Sequence, residues 1–415
     1  MGIGNHIKFH RQSKGITQRQ LADGICSTSY LSKIESESVE PAQEMIELLC
    51  EKIGISKELW ILQTDEVPTL QREYEGFYRI LQQDIVLAKS KMDSISENFL
   101  VTEPESHLMK EIFALLYHVY NRDKEAAHIC YESLDRLKEY QSAWTRQYYF
   151  RAVGLYYYIN QHYDRSIEAY KKAEKYTPNH DLGEVYYHLA LAYSQIENVG
   201  TSIYYLKKAL DIFLVKMDYD KVTNCNLLLG INHRKLKEYT QAKENYTSIL
   251  NHLAGKKAER LKAKIYHNLG LVFSEEGDSI QAIEYYLKSL EFRKDPATQL
   301  ITVYVLASEY EKTHQLEKAL EYFEIGEKYA QSLEDDEYQI MFKVLAFKLR
   351  RQIDTVEFEE YMLQVAIPFF EKRKEYYTFS HYINLLTSYY ENSRQYKNAY
   401  LLLRKLLPEQ RGMLV

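Results

Sequence analysis

The chain has 415 residues, of which 46% are hydrophobic and 27% are charged, and its formal net charge is −6. This length predicts more than one domain, or one domain followed by an extended array. The small numbers of prolines and glycines, 7 and 15, favour long helices over a β-sandwich. The acidic balance argues against a protein that coats nucleic acid with its whole surface, but it allows one small DNA-contacting face.

Several function classes are excluded by what the chain lacks. The four cysteines lie far apart and form no CxxC pair, which predicts free thiols rather than a disulfide framework or a zinc site. There is no apolar signal segment at the N-terminus, no myristoylation motif and no apolar run of roughly 20 residues. Phosphate-binding loops, HExxH and GxSxG are also absent. We therefore expect a cytoplasmic protein that is not an enzyme and has no membrane partner, metal or cofactor.

The first 66 residues differ in composition from the remainder. Only one of the 39 tyrosines, Tyr30, precedes residue 67. We therefore predict a domain boundary in the polar stretch QTDEVP, which ends at Pro68, and four or five short helices before it. Thr17 and Gln20 have the spacing of a capping box at the start of the second helix, and Ser27 is the expected N-cap of the third.

The second and third helices, joined by a short turn that contains Gly24, match the helix-turn-helix pattern. The third helix turns Leu31 and Ile34 inward, so its exposed side carries short polar groups and one cation, which suit base edges and phosphates: Thr28, Ser29, Ser32 and Lys33. Within residues 1–35, five bases outnumber Asp23 and Glu35; the bases are Lys8, Arg11, Lys14, Arg19 and Lys33. The alternative is a small helical bundle with an ordinary polar surface.

The order KxxRxxKGxTQxxLA…SxxYLSKIE…P, from Lys8 to Pro41, resembles the lambda-repressor-like (Cro/C1-type) helix-turn-helix family. The resemblance implies that Gln18 contacts phosphate from the start of the second helix and that Ser29 and Lys33 face the bases. With Arg19, Thr28 and Ser32 these residues form the predicted DNA-binding set. One departure is Glu37, where the family usually has glycine, so the turn after the third helix is the uncertain point.

Residues 106–415 contain a repeated pair of helices. A small residue recurs in the first helix of each unit, at Gly154, Ala190, Gly230, Gly270 and Ala307. A second recurs in the partner helix, at Ser166, Ser202, Ala242, Ala282 and Ala319, and a bulky residue follows it four positions later. This is the tetratricopeptide pattern, in which small residues let two antiparallel helices touch. We predict an all-α chain in which a helical linker, residues 67–105, joins the head to seven to nine hairpins stacked in a right-handed superhelix.

The first helices of such repeats line a concave groove. The residues that we expect there combine apolar walls with amide, imidazole, phenol and guanidinium groups, which suit an extended peptide: Arg151, Tyr187, His188, Asn224, Leu227, His267, Asn268 and Tyr304. Asparagine amides can pair with both groups of a peptide backbone, and Arg151 can meet a carboxylate. Each of these residues also has a simpler interpretation as packing or solvated surface.

A Cro/C1-type head on a tetratricopeptide body resembles the peptide-sensing regulators of Gram-positive bacteria, the Rap/Rgg/NprR/PlcR/PrgX group, and most of all its NprR and PlcR branch. The resemblance implies a quorum-sensing transcription regulator that binds promoter DNA, is controlled by a short imported peptide and acts as a homodimer or higher oligomer. A Rap-like scaffold that docks a response regulator on residues 68–105 and promotes its dephosphorylation is the alternative, and both roles can coexist. A phage or plasmid regulator with the same parts is a third possibility.

Overall fold

The computed structural model describes residues 3–55, 67–82, 84–98, 104–251, 253, 257–373 and 376–406. In these ranges all regular secondary structure is helical. The chain divides into two compact units, Met1–Asn232 and His233–Val415. The predicted boundary at residue 66 lies outside the described residues, which resume at Val67.

The first unit begins with four short helices. They are α1 (Ile3–Ser13), α2 (Gln18–Ala22), α3 (Thr28–Glu35) and α4 (Gln43–Ile53). The predicted caps are confirmed: the Thr17 hydroxyl accepts from the Gln20 amide while the Gln20 side chain bonds back to the Thr17 amide, and the Ser27 hydroxyl accepts from the Tyr30 amide at 3.1 Å. The head has its own apolar core, formed by Ile7, Leu21, Ala22, Leu31, Ile34, Leu49 and Ile53.

The turn after α3 has the backbone conformation that glycine favours, although this chain places Glu37 there. Glu37 has a φ of +57°, in the left-handed region that costs most side chains free energy. Its carboxylate accepts a hydrogen bond from the Asn5 amide at 3.3 Å, which ties the turn to the start of α1. The departure from the family pattern is therefore located at one strained residue, and α3 begins after Ser27 as predicted.

Helical hairpins follow two helices of the linker region, α5 (Val67–Leu81) and α6 (Ile85–Asn98). In the first unit the hairpins comprise α7 (Pro104–Tyr120), α8 (Lys124–Arg136), α9 (Ala143–Ile159), α10 (Tyr163–Tyr176), α11 (Leu182–Gln195), α12 (Val199–Val215) and α13 (Tyr219–Lys235), which crosses the boundary between the units. The second unit continues with α14 (Tyr239–Asn251), α15 (Lys257–Glu276), α16 (Ser279–Glu291), α17 (Pro296–Lys312), α18 (Leu316–Ser332), α19 (Asp336–Leu349), α20 (Val356–Tyr361), α21 (Ile367–Arg373), α22 (Tyr376–Asn392) and α23 (Tyr396–Arg404). A π-helical turn, Met362–Ala366, joins α20 to α21.

A left-handed residue lies one or two positions beyond the first helix of every hairpin that the structure describes. These residues are Arg122, Gln161, Glu197, Lys237, Gly277, His314, Arg351 and Arg394. Their recurrence marks eight hairpins, including the two at 106–138 and 338–373 whose sequences match the repeat only weakly. The amide of the following residue bonds back to the helix, for example His162 N to Tyr157 O at 2.9 Å, as in a Schellman cap.

Small residues hold the two helices of a hairpin together, as the repeat predicts. The Ser166 hydroxyl donates to the Gly154 carbonyl at 2.8 Å, and the Ser202 hydroxyl donates to the Ala190 carbonyl at 2.6 Å. A methyl group on Gly154 would lie 2.6 Å from the ring of Tyr170, which is 1% exposed. The repeated small and aromatic positions are therefore packing positions, and the predicted fold class is confirmed.

Candidate DNA-binding and peptide-binding sites

The outer face of α3 carries the residues predicted to contact DNA. Thr28, Ser29, Ser32 and Lys33 are all exposed. The Ser27 cap fixes the start of this helix, and the burial of Leu31 and Ile34 fixes its rotation. Arg19 on α2 is exposed as well.

A buried ion pair fixes α3 relative to the other head helices. The Arg11 guanidinium donates to both carboxylate oxygens of Glu35, at 2.6 and 2.8 Å, and both side chains are buried. The Gln18 amide nitrogen donates to Glu35 Oε2 at 2.9 Å. Because a side-chain amide carries two N–H groups, this bond orients Gln18 and leaves one donor for a phosphate.

The positive charge available to DNA is smaller than the count of bases indicates. Arg11 is committed to Glu35, Lys8 pairs with Glu139 at 3.1 Å, and the Lys14 ammonium donates to the Ile53 carbonyl. Arg19 and Lys33 remain for phosphate or base contacts, and the exposed Lys14 keeps its positive charge because its carbonyl partner is neutral. Composition could not show this, because each partner lies far along the chain.

A cavity of about 550 Å³ lies in the first unit, where the start of the body meets α5. Its lining includes Tyr74 and Tyr78 from α5, Arg151 from α9, Glu184 from α11 and Lys221 from α13. The Arg151 guanidinium lies over both tyrosine rings, 5.7 Å from each centroid, at a distance typical of cation–π contacts. None of the described residues forms a hydrogen bond or an ion pair with this guanidinium.

The cavity has an excess of positive charge. Lys221 pairs with Glu184 Oε1 at 2.7 Å. Burial would raise the pKa of the Glu184 carboxyl, but Lys221, His188 and Arg151 outweigh it and hold that pKa below its usual value. Burial lowers the pKa of His188 to about 4, so this imidazole is neutral at pH 7. The lining as a whole carries four cations, Arg79, Arg151, Lys216 and Lys221, against three carboxylates, Asp181, Glu184 and Asp218. Glu184 Oε2 is buried without a hydrogen-bond partner among the described residues.

The other predicted peptide contacts of the first unit differ in availability. His188 stacks on Tyr170, with ring centroids 5.2 Å apart, and hydrogen-bonds to the Tyr78 hydroxyl at 3.2 Å. Leu227 is buried, Tyr187 is half-buried and Asn224 is exposed. All four residues lie on the consecutive first helices α11 and α13, whereas Glu184 and Lys221 were not predicted from the sequence. A weak signal existed, because Glu184 is one helical turn before His188.

The predicted contacts of the second unit take part in local packing. His267 is buried and hydrogen-bonds through Nδ1 to the Thr302 hydroxyl at 3.1 Å. The Asn268 amide donates to the Lys264 carbonyl of its own helix at 3.0 Å. Tyr304 is half-buried and packs edge-on against Phe342 at 5.3 Å. The hydrogen bonds of His267 and Asn268 use part of the bonding capacity of each side chain. The side-chain oxygen of Asn268 takes no part in its bond to Lys264.

Within the described ranges, no helix is both long enough and apolar enough to cross a bilayer. The same part of the chain contains no group of three or more histidines, cysteines or acidic residues arranged to hold a metal ion.

Comparison with known families supports the division into head and body. A helix-turn-helix model matches residues 7–60, and tetratricopeptide-repeat models match residues 183–213 and 222–295. Among solved structures, the apo form of the quorum sensor NprR from B. thuringiensis aligns with a TM-score of 0.67 at 18% identity, over 82% of this chain and 99% of that one. NprR in complex with its cognate peptide NprX aligns with a TM-score of 0.61 at 20% identity, over 81% of this chain and 98% of that one. At these identities the likeness shows the fold.

Curated relatives extend the match over most of the chain. The transcriptional activator NprA of Geobacillus stearothermophilus is 30% identical over 91% of this chain and 96% of its own length. The regulatory protein RapD of Bacillus subtilis is 24% identical over 70% of this chain and 83% of its own length. The chain therefore belongs to the Rap/Rgg/NprR/PlcR/PrgX family of regulators, with a lambda-repressor-like helix-turn-helix head and a tetratricopeptide-repeat body.

Proposed function

We propose that this protein is a cytoplasmic transcription regulator whose head, residues 1–66, binds double-stranded promoter DNA and whose body, residues 106–415, senses a short signalling peptide. The observation that carries the first part is the exposed face of α3, held in place by the Arg11–Glu35–Gln18 network. The full-length match to NprA supports it. In this arrangement Ser29 and Lys33 read bases, and Gln18, Arg19, Thr28 and Ser32 contact the backbone or neighbouring bases.

The DNA-binding proposal is tested with a duplex that the full-length protein selects from a random-sequence library. Lys33→Ala should weaken binding to this duplex by about 1–3 kcal/mol if Lys33 makes a base contact. Lys328→Ala on α18 removes the same charge from an exposed position of the second unit and is the matched control. Selection of no sequence by the wild-type protein, or an equal loss in both variants, would contradict the proposal.

We further propose that a carboxylate of the peptide binds Arg151 in the cavity between α5, α9, α11 and α13. Arg151 offers a planar donor array with no acceptor among the described residues, and the unpaired Glu184 Oε2 can accept from a peptide N–H. Tyr187, His188, Asn224 and Leu227 lie on the same first helices and would extend the contact. His267, Asn268 and Tyr304, on first helices of the second unit, are proposed as peptide contacts of that unit considered by itself. The NprR–NprX complex, which has the same fold, supports a peptide ligand.

The peptide proposal is tested by calorimetry with a peptide chosen by the protein from a random heptapeptide library. The same peptide is then resynthesised with a C-terminal amide, to separate a terminal from a side-chain carboxylate. Arg151→Gln should weaken binding at least about tenfold, since a charge-assisted bond contributes about 1.5–3 kcal/mol. Arg146→Gln, also on α9, is the control. Equal affinity in both variants would overturn this placement.

The position of α5 allows peptide binding at Arg151 to affect the head. Tyr74 and Tyr78 cover Arg151, the Tyr78 hydroxyl bonds to His188, and Lys221 donates to Gln82 at 3.0 Å just after α5. A ligand at Arg151 must either contact α5 or displace it. Since α5 follows the head in the chain, its movement would change how two heads of an oligomer meet their half-sites.

Docking of a response regulator, with promotion of its dephosphorylation, is the second candidate function. It is favoured by the match to the response regulator aspartate phosphatase H of Bacillus subtilis, which is 22% identical over 63% of this chain and 70% of that protein. On α6, Val86 and Leu87 are 77% and 54% exposed and offer an apolar contact. Phosphate release from a phosphorylated receiver domain, compared between wild type and a Val86→Asp, Leu87→Asp double variant, tests it. Release that is unaffected by the protein would eliminate this role.

A further inference from the structure

The first helix of the head packs directly against the start of the body. The ring of Phe9 lies edge-on to His107 of α7 and to Tyr140, with centroids 5.4 and 5.0 Å away. The Tyr140 hydroxyl donates to Gln12 Oε1 at 2.6 Å. Lys8 pairs with Glu139 at 3.1 Å. Tyr140 and Glu139 belong to a single 3-10 turn, Lys138–Tyr140, that follows α8.

Phe9 is a core residue of the body rather than of the head. It is fully buried, and it belongs to the apolar cluster that contains Leu108, Phe113 and Leu137 of the body. The head's own cluster, which contains Ile7 of the same helix, does not include it. An aromatic ring on the surface of a small domain, buried entirely by another part of the chain, is the mark of an interface. The surrounding polar contacts give it a defined register.

We propose that α1 is a docking element, in which Phe9 inserts between His107 and Tyr140 and fixes the head on the repeat body in one orientation. The DNA-reading residues of α3 stay exposed in this arrangement, so the docked head is competent to bind DNA. Its consequence is that the body sets the direction in which each α3 points. The docking itself is inferred from packing alone. Only its effect on DNA recognition rests on the proposed DNA-binding function.

The docking site is contiguous with the Arg151 cavity through packed aromatic rings. Phe113 lies on α7, one and a half turns beyond His107, and its centroid is 5.0 Å from Phe77 and 5.8 Å from Tyr74 of α5. Tyr74 in turn lies under Arg151. A change at the cavity that moves α5 therefore acts on α7, the helix whose His107 contacts Phe9. This gives the head a second connection to the body besides the chain itself.

Hydrogen exchange on the full-length protein tests the docking without DNA or peptide. Phe9→Ala should accelerate amide exchange in residues 138–140 by about tenfold or more, because a buried aromatic contact is lost. Exchange in α3 should stay within about twofold, since Phe9 is not part of the head core. Phe9→Leu, which keeps an apolar side chain, is the matched control and should behave like wild type. Tyr140→Ala should reproduce the effect of Phe9→Ala from the body side.

Two exchange results would overturn the inference: unchanged exchange in residues 138–140, or equal acceleration in α3, which would make Phe9 part of the head's own fold. The consequence is tested with the selected duplex after its half-sites are moved apart by about two base pairs. Wild type should lose about tenfold or more in affinity, whereas Phe9→Ala should bind both spacings within about threefold. Equal loss in both proteins would show that docking does not orient the head. Failure of wild type to select any duplex would refute the proposed DNA binding and leave the exchange result standing.

Discussion

Glu37 is a residue whose replacement should stabilise the head. Its φ of +57° costs about 1–2 kcal/mol for a residue with a Cβ, and glycine avoids that cost. The bond to the Asn5 amide is long, at 3.3 Å, so its loss offsets little. Glu37→Gly should therefore slow amide exchange in α1 and α3 by an amount equivalent to about 0.5–1 kcal/mol. The control is Glu40→Gly, at an exposed position without a positive φ, which should give no gain; equal effects would show that backbone strain is not the cause.

His107 should make the docking of the head dependent on pH. Both of its ring nitrogens are buried without a hydrogen-bond partner among the described residues. Burial, followed by the electrostatic effect of the nearby His10 and Lys110, lowers its pKa from 6.5 to about 4. The docked state has its full stability above pH 6.5, where His107 is neutral in both the docked and the undocked state. As the pH falls from 6.5 towards 4, the undocked state binds a proton at His107 that the docked state does not, so docking becomes less stable. Docking should weaken by roughly 1–2 kcal/mol between pH 7 and pH 5.

The measurement for His107 is the exchange rate of residues 138–140 as a function of pH, corrected for intrinsic exchange, in wild type and in His107→Leu. Leucine removes the titration and the two unpaired nitrogens, so its profile should be flatter and its docking at least as stable as wild type at pH 7. Parallel profiles in the two proteins would assign the pH dependence to other groups, with His10 the first to examine.

Hydrogen bonds between residues that are close in sequence could be predicted, as the two helix caps show. The Thr17 capping box and the Ser27 cap could be predicted because both partners lie within three residues of each other. The partners of Lys8 and Arg11 could not be predicted, because Glu139 and Glu35 are distant in sequence. Nearness in sequence was not sufficient for Asn268, whose side-chain amide donates to the Lys264 carbonyl four residues earlier in its own helix.

At the scale of elements, the glycine of a first helix should be intolerant of a methyl group. Alanine at residue 154 would improve helix propensity, but its methyl group would meet the Tyr170 ring, which is itself packed against His188. Overpacking of this kind costs about 1–3 kcal/mol, so Gly154→Ala should lower the thermal unfolding midpoint of the full-length protein. Gly76→Ala on α5, where no described atom lies within 4 Å of the new methyl, should be neutral or stabilising by up to about 1 kcal/mol. A lower midpoint in both variants would contradict the role of close helix contact.

The repeat helices could be predicted as elements, whereas the placement of α5 could not. Small and aromatic residues recur along the hairpins because each hairpin solves the same packing problem. The α5 segment lacks that recurrence, so the sequence predicted a helical linker but not the surface against which it packs. Its packing on Arg151 and His188 depends on the shape that the hairpins present together. Glu184 and Lys221 were missed for the same reason, since they become a pair only when α11 and α13 lie side by side.

At the scale of the whole molecule, one head offers little surface for specific DNA binding. A single module of this size buries roughly 600–1,000 Å² on DNA, and paired heads on a palindrome bury enough for tight binding. Pairing of the heads is more important still because two of the five bases of residues 1–35, Lys8 and Arg11, are already paired with carboxylates of the chain. We therefore propose a homodimer or higher oligomer, whose mass in light scattering should be at least twice 49.3 kDa at the concentrations where DNA binds.

Coupling between peptide and DNA should be reciprocal and should depend on the docked head. If the selected peptide changes DNA affinity by some factor, DNA must change peptide affinity by the same factor, since both describe one coupling free energy. We expect a factor of about 5–150, measured by titrating peptide with and without saturating duplex. In Phe9→Ala the factor should fall towards one while the affinity for peptide alone stays as in wild type, because Phe9 lies outside the Arg151 cavity. Phe9→Leu should keep the coupling. Coupling that persists unchanged in Phe9→Ala would mean that the signal passes through the chain between head and α5, and not through the docking of α1.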